Sequence, residues 1–383
     1  MNILQIASFD GNIGDIANHT GFQISLRNAV EDKCVFTNME MRLFYKSWGE
    51  RSFDESFARY ANQFDLLVLG GGGFFNLKWK YSSTGTTVDI DRNILDQIKA
   101  PILFNGMGYS DEEADNELKE RFSSFLYDIV SRDNIFLTVR NDGSHQRLVN
   151  SYGERNCSIV HKVPDGGFFC RPTPTEHPEL DHNSINVAVN LAGDAIARRF
   201  PGASGLHDLD SFTKEFASFV TEFLGADERI RIIFVPHIFS DLKIVSAVME
   251  KIPDRLVRKR ITCSAYLNGV STDGLLTFDL YRNCDLVIGM RYHANVVPIG
   301  LSVPTIAIFT RDDHIGLYED LGIMQNCIPA NQRGFSRKLL EKCLDAIKNR
   351  EQYVSLNRSI MERLRQENDE YMRSIIRWLG MKK

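Results

Sequence analysis

Between Asp285 and Phe309 the chain reads DLVIGMRYHANVVPIGLSVPTIAIF. An apolar run, Leu286 to Ile288, reaches Gly289 and then delivers Arg291, Tyr292 and His293. A short amphipathic stretch, Ala294 to Leu301, leads to a second apolar run from Val303 to Phe309. That order predicts strand, turn, helix, strand, the repeating unit of a parallel α/β sheet. Sheets of this kind carry their chemistry where the carboxyl ends of strands meet helix amino termini. Arg291 and His293 stand at such an end. One is a permanent cation suited to bidentate recognition of carboxylate or phosphate, the other a side chain that exchanges protons near neutral pH. An arginine tying the turn together beside a packing histidine would leave the same pattern, so the rest of the chain has to decide.

Alternation of this type runs from end to end. Strand-like runs are expected at Ile3 to Ala7, Cys34 to Phe36, Leu66 to Leu69, Ile102 to Phe104, Phe136 to Val139 and Ser158 to Val163. Segments of helical period such as Ile16 to Ala29, Phe53 to Asn62 and Glu117 to Val130 separate them. A proline-bearing stretch without period, RPTPTEHPELDHNS from Arg171 to Ser184, then interrupts the pattern and reads as a domain boundary. Alternation restarts with strand-like runs at Asn186 to Asn190, Ile230 to Val235, Ile261 to Ser264, Leu286 to Gly289 and Thr305 to Phe309. Helix-like stretches include Asp210 to Leu224, Asp241 to Lys251, Thr277 to Asn283 and Gly316 to Leu321. After Arg337 the chain reads as helix almost to its end. The expectation is two doubly wound, Rossmann-like α/β domains facing a cleft: residues 1–175, the side expected to take an acceptor, and residues 184–340, the side expected to take a donor. Residues 341–383 form a helical segment that can pack back on the first domain.

At 383 residues the chain is long enough for two domains with a core each. Hydrophobic content of 43% and charged content of 25% belong to an ordinary globular protein. A formal charge of −5 argues against nucleic-acid binding, which needs a basic face. The 7 cysteines are scattered and never spaced as CxxC, so neither a zinc site nor a disulfide framework is expected. The start, Asn2 to Ala7, is strand-like and lacks the regions of a secretory signal, and no apolar run approaches a membrane span. The expected location is the cytoplasm.

Several strand ends in the first half are rich in glycine or polar residues. After the first strand comes Ser8-Phe9-Asp10-Gly11-Asn12-Ile13-Gly14-Asp15, a loop whose glycines allow close backbone approach and whose helix start favours an anion. Its Gly11 and Gly14 are not spaced as a dinucleotide fingerprint. Gly70, Gly71, Gly72 and Gly73 follow the third run. Close approach to a ligand and a tight strand-to-helix crossing explain these four glycines equally well. No lysine and Ser/Thr pair follows to make a P-loop. Asn105-Gly106-Met107-Gly108 repeats the theme. In Arg140-Asn141-Asp142-Gly143-Ser144, Arg140 sits at a strand end and Ser144 is a candidate helix cap. Asp165, in Pro164-Asp165-Gly166-Gly167, is an Asx-turn residue or a site carboxylate, the turn being favoured. In the second half Asn190, His237 and Asp241 stand at strand ends with Arg291 and His293. His237, Asp241 and His293 offer metal-ligating types without a spacing that demands a metal. His19 and His145 are expected to be surface or packing residues.

In this order the pieces resemble the polysaccharide pyruvyltransferase family. The matching motifs are Gly14-Asp15, Asp65 to Gly73, Arg140 with Ser144, Asp165, Pro236-His237 with Asp241, and Asp285 to His293 through Gly300 and Pro304. The resemblance covers roughly residues 3 to 324. Two departures stand out: Asn141 occupies the place of an acid after the family's arginine, and Thr310-Arg311-Asp312-Asp313-His314 replaces a Tyr and Lys pair. The resemblance implies a fold similar to the B-type glycosyltransferases and transfer of a pyruvyl group from phosphoenolpyruvate to a sugar of a polysaccharide, exopolysaccharide or lipid-linked precursor, as a ketal. It implies no nucleotide cofactor and no obligate metal. Such a site needs fixed cations for carboxylate and phosphate, for which Arg291 and Arg140 are candidates, with Tyr292, Asn190 and Asp241 lining the donor side. It also needs an acid for the methylene carbon, for which His293 is the candidate, and a proton acceptor, for which Asp165 and His237 are. A nucleotide-sugar glycosyltransferase of the same architecture, or a non-catalytic α/β binding protein, are the competing readings. No paired glutamate of a nucleotide-ribose site supports the former.

Overall fold

A computed structural model describes residues 1–31, 33–267, 273–310 and 312–381. The chain divides into two compact units. Unit 1 comprises Met1–Phe9, Asn18–Phe169 and Leu364–Lys383, and unit 2 comprises Asp10–Ala17 and Cys170–Arg363. Arg311 lies outside the described residues, so the departure noted at Thr310 to His314 is described only at its flanks.

Unit 1 holds β1 (Asn2–Ala7), β2 (Val35–Glu40), β3 (Leu66–Asn76), β4 (Ile102–Ser110), β5 (Ile135–Arg140) and β6 (His161–Val163). They form one six-stranded sheet in the order β2-β1-β3-β4-β5-β6. Every pairing is parallel. The central strands are apolar on both faces, as a sheet covered by helices on each side requires. One face packs Leu4, Ile6, Leu67, Leu69 and Phe104 against helical aromatics including Phe122 and Phe125. The other packs Ile3, Leu66, Val68 and Leu103 against Phe22 and Leu26 of the helix Ile13–Ala29, and against Tyr371, Met372, Ile375 and Ile376 of the helix Arg350–Trp378. Tyr371 also donates its hydroxyl to Asn105 Oδ1 at 2.7 Å.

Unit 2 holds β7 (Ile185–Asn190), β8 (Ile230–Phe234), β9 (Ile261–Cys263), β10 (Leu286–Gly289), β11 (Thr305–Phe309) and β12 (Cys327–Pro329). Its six-stranded sheet has the order β12-β11-β10-β7-β8-β9 and is also parallel throughout. Read from the other edge this is the third, second, first, fourth, fifth and sixth strand of the unit, the doubly wound order of a dinucleotide-type fold. The helix Leu209–Ala226 starts on a capping box between Asp208 and Ser211 and buries Phe212, Phe216, Phe219 and Phe223 at helical spacing.

Three expectations need correction. The strand expected to end at Leu69 does not end there: β3 continues through the glycines to Asn76, pairing Gly70 with Asn105 and Gly72 with Met107. The Asn105 to Gly108 segment likewise belongs to β4. Strands that lack side chains at these positions carry no propensity signal, so the apolar runs alone mark too short an element. Ser144 is not the cap of its helix. Gly143 occupies the cap position, Asp142 Oδ1 accepts the Ser144 N–H at 3.0 Å, and Ser144 Oγ instead accepts the Tyr109 N–H at 2.8 Å. The edge strand β12 is three residues long and carries a cysteine and a proline, which is why the sequence does not announce it.

Candidate functional site

In unit 2 the strand order reverses between β7 and β10, and in a doubly wound sheet the carboxyl edge at that point is where a crevice opens. Asn190 is the last residue of β7 and Arg291 lies just beyond β10. They are tied directly: Arg291 N donates to Asn190 Oδ1 at 3.0 Å, Met290 N to Asn190 O at 3.1 Å, and Asn190 Nδ2 to Val235 O at 2.8 Å. Asn190 therefore fixes three strand ends at once. Behind the turn, Asn295 Nδ2 donates to Gly289 O and Arg291 O, and Asn295 Oδ1 accepts from Tyr318.

The Arg291 side chain is fixed as firmly as its backbone. Its Nε donates to Asp241 Oδ2 at 2.8 Å, and its Nη2 reaches both Asp241 Oδ1 and, at 2.8 Å, Asp194 Oδ1. Asp241 is fully buried and also accepts the backbone N–H groups of Gly193, His237 and Ile238. Asp194 is shared with a second buried arginine, Arg199, whose Nη1 donates to Thr310 Oγ1 at 2.9 Å. Burial raises the Asp241 carboxyl, but the hydrogen bonds and charge of Arg291 outweigh it and hold the group ionised. The same opposition brings Asp194 down to about 2, with Arg291 and Arg199 overcoming burial. For Arg291 burial disfavours the charge, and Asp241 and Asp194 more than restore it. Arg291 Nη1 makes no hydrogen bond with the described residues. Its two N–H groups are the part of a pre-set guanidinium that remains for a ligand.

His237 follows β8. Its ring is fully buried and its Nε2 meets Tyr281 Oη at 2.7 Å. Burial, with help from the Arg291 charge, takes it down to about 3 against the pull of Asp241, so it is neutral at physiological pH. His293 is the first residue of the helix His293–Gly300 and is nearly buried, its ring edge-on to Tyr292 at 5.2 Å. Against it lies the start of the helix Ile13–Ala29, where a Cβ on Gly14 would come within 2.6 Å of His293 Nδ1. The Gly14 signal from the sequence is thus a packing requirement imposed by His293. Asn12 holds this loop, accepting from Gly14 N at 3.1 Å and donating to Asp15 at 2.9 Å. Gly11, at φ +71°, has open space where a side chain would be. Two helix amino termini therefore meet at His293, beside the turn that carries Arg291. Their partial positive charges favour an anion.

Unit 1 carries a second cluster at the carboxyl edge of its sheet. Asp165 is buried: its Oδ1 accepts the Gly167 N–H at 2.8 Å, an Asx turn, and its Oδ2 accepts Asn18 Nδ2 at 2.6 Å. Asn141 Oδ1 accepts the Asp165 N–H at 3.1 Å. A Cβ on Gly71, which adopts φ +79°, would lie 2.4 Å from Asn18 Oδ1. Gly70, at φ +100°, is packed as closely, a Cβ there lying 2.3 Å from Met107 Sδ, and Gly72 and Gly73 follow in β3. Arg140 donates from Nε to Asp142 Oδ2 at 2.5 Å. The carboxylate paired with Arg140 is thus that of Asp142, and Asn141 holds the Asp165 backbone. His19 is buried against Phe9 and packs rather than facing solvent.

The structure places Arg291, Asn190, Asp241, His237, Tyr292 and His293 in unit 2, and Arg140, Asp165 and Gly71 in unit 1; Gly14, expected with the first domain, lies instead in unit 2 against His293. Sequence reasoning missed Asp194, Arg199, Asn295, Asn12, Asn18 and Asp142. Their only sequence signal is position: each lies within a few residues of a strand's carboxyl end or in the first turns of the following helix. Among the described residues no group of three or more His, Cys, Asp or Glu side chains is placed to hold a metal ion.

These two sheets are the fold of the B-type glycosyltransferases and sugar-nucleotide epimerases. The HepE protein of Anabaena, solved with UDP and glucose, superposes with a TM-score of 0.57 at 11% identity, over 98% of this chain and 99% of that one. An UDP-N-acetylglucosamine 2-epimerase assignment from Listeria monocytogenes gives 0.55 at 12% identity, over 93% and 90%. The enzyme of that name from Neisseria meningitidis, bound to UDP-GlcNAc, gives 0.52 at 9%, over 96% and 100%. At such identities the likeness is one of fold. No curated protein sequence matches the chain significantly. The family model for polysaccharide pyruvyl transferase matches residues 11–312, and the chain belongs to that family. It is accordingly a transferase acting in glycan chemistry.

Proposed function

We propose that the protein moves a pyruvyl group from phosphoenolpyruvate onto a sugar of a polysaccharide or glycan precursor and closes it as a ketal. The observation that carries this reading is Arg291: a charged guanidinium clamped by Asp241 and Asp194 at the sheet's switch point, with Nη1 uncommitted and His293 two residues on. A donor with a carboxylate and a phosphate needs a fixed cation and helix amino termini, and needs an acid close by. In this account Arg291 and the backbone N–H groups after it hold the donor's anionic groups. His293 gives a proton to the methylene carbon, making C2 electrophilic. One sugar hydroxyl adds to C2 and returns a proton to the His293 imidazole, and a second displaces phosphate, which leaves with that hydroxyl's proton, to close the ring. Asp241 acts through Arg291 by holding it, and His237 supports Asp241 through its backbone N–H. Asp165 is engaged by Asn18 and the Gly167 backbone, and organises strand ends in unit 1.

Transfer in heavy water tests the central step. The transferred methyl group is expected to gain one deuterium, and His293→Gln to retain donor binding while losing turnover by about 10²–10⁴. A Gln variant that transfers at the parent rate would make His293 a packing residue only.

A further inference from the structure

Unit 1 carries an aromatic and basic patch that the donor chemistry does not use. The loop after β2 contributes Tyr45, Lys46 and Trp48, and the loop after β3 contributes Lys78, Trp79 and Tyr81. Both loops leave the carboxyl edge of the sheet. Three of the rings are contiguous: Tyr45 and Trp79 have centroids 5.2 Å apart, and Trp79 and Tyr81 5.7 Å apart, while Trp48 is tied to Tyr45 through its backbone N–H on the Tyr45 carbonyl at 3.0 Å. Lys46 Nζ lies 5.7 Å from the Tyr81 centroid and Lys78 Nζ 5.4 Å from that of Trp79. Trp48 is 47% exposed and Tyr81 39%, a large apolar area for a protein surface. Neither Lys46 nor Lys78 has an ion-pair partner among the described residues, whereas the neighbouring Lys80 pairs with Asp115. The continuation of the first loop, Gly49 to Ser52, lines a cavity of about 420 Å³ together with Phe44, Asp54 and Tyr60.

We infer that this patch is a saccharide subsite for an acidic glycan, the acceptor of the transfer proposed above, on which reading it rests. Exposed aromatic faces stack on the C–H faces of pyranose rings, an apolar contact that a sugar can make without losing its hydroxyls to desolvation. Two lysines without acidic partners, in a chain of net charge −5, supply a local positive field matched to an anionic substituent. Glu50, Asp54, Ser52 and Arg51 at the cavity present acceptors and donors to sugar hydroxyls, and the anion is read at the lysines. The anionic group is a carboxylate of a uronic acid or a phosphate on the saccharide.

The test is binding of the full chain to an array of neutral, uronate-bearing and phosphate-bearing microbial oligosaccharides. The parent protein is expected to retain acidic members, and the uronate and phosphate arms identify which anion is read. Trp48→Ala with Tyr81→Ala should lower that binding by about tenfold, the scale of a lost aromatic contact. Lys46→Gln with Lys78→Gln should remove the preference for acidic over neutral members and its salt dependence. Thermal stabilisation by phosphoenolpyruvate should be the same in all three proteins. If the parent retains no glycan, or retains the same set with equal strength after the aromatic substitutions, the subsite does not exist. Loss of the phosphoenolpyruvate effect in the parent would instead overturn the donor reading and leave the glycan result standing.

Discussion

At the scale of single residues the clamp on Arg291 does two things. Asp241 and Asp194 keep a buried guanidinium charged, and they fix which of its edges is left for a ligand. Arg291→Lys retains the charge but not the planar fork. The variant is expected to fold and to bind phosphoenolpyruvate more weakly by about 1.5–3 kcal/mol, the value of a charge-assisted hydrogen bond, measured by titration calorimetry. Asp241→Asn attacks the same pair from the buried side. It should cost about 3–5 kcal/mol of stability in denaturant unfolding, because it leaves a buried cation short of its partner. His237 gives a pH signature of its own. Its folded value is lowered to about 3, so between there and its ordinary value the unfolded chain binds a proton that the folded chain refuses. Stability therefore falls as pH drops below about 6.5, at up to about 1.4 kcal/mol per pH unit from this group. Asp194, depressed to about 2, adds stability that is present above its unfolded value near 4 and lost below it. His237→Asn should flatten the slope of unfolding free energy between pH 6 and 4. An unchanged slope would mean that other groups set it.

At the scale of elements the informative positions are those where a helix start meets a strand end. Gly14 lies against the His293 ring, so Gly14→Ala forces that ring to move. The expected result is a turnover defect like that of a His293 variant, with a stability loss of only about 1–3 kcal/mol from overpacking. This contact also shows how far the sequence could be read. The strand-turn-helix-strand unit at Asp285 to Phe309 was legible because apolar runs, a glycine and a polar triplet fall at fixed spacing. Arg291, His293, Asn190 and Asp241 were legible because strand ends are where such folds place chemistry. The extent of β3 and β4 was not, since glycine carries no strand propensity and only tertiary pairing reveals it. Nor was the partnership of Asp194 with Arg291, or of Asn18 with Asp165, for residues 97 and 147 positions apart meet only once the sheet order is known. Asp142 is the instructive case: Asn141 stands out as a departure, yet the carboxylate that pairs with Arg140 is the next residue, and only the folded geometry reveals it.

At the scale of the whole molecule, two parallel sheets with different strand orders each bring a cluster to their carboxyl edge. The last helix, from Leu364 onward, completes unit 1 by covering one sheet face with Tyr371, Met372, Ile375 and Ile376. HepE was solved with UDP and glucose and the Neisseria epimerase with UDP-GlcNAc, so a UDP-sugar is the ligand to set against phosphoenolpyruvate. The most direct measurement is thermal unfolding of the purified protein with phosphoenolpyruvate, with UDP-glucose and with UDP-N-acetylglucosamine, in the parent and in Arg291→Lys. A ligand that binds only the folded state raises the transition by mass action. The account predicts that phosphoenolpyruvate stabilises the parent, that the effect shrinks in Arg291→Lys, and that neither UDP-sugar stabilises either protein. Stabilisation by a UDP-sugar with none by phosphoenolpyruvate would contradict it.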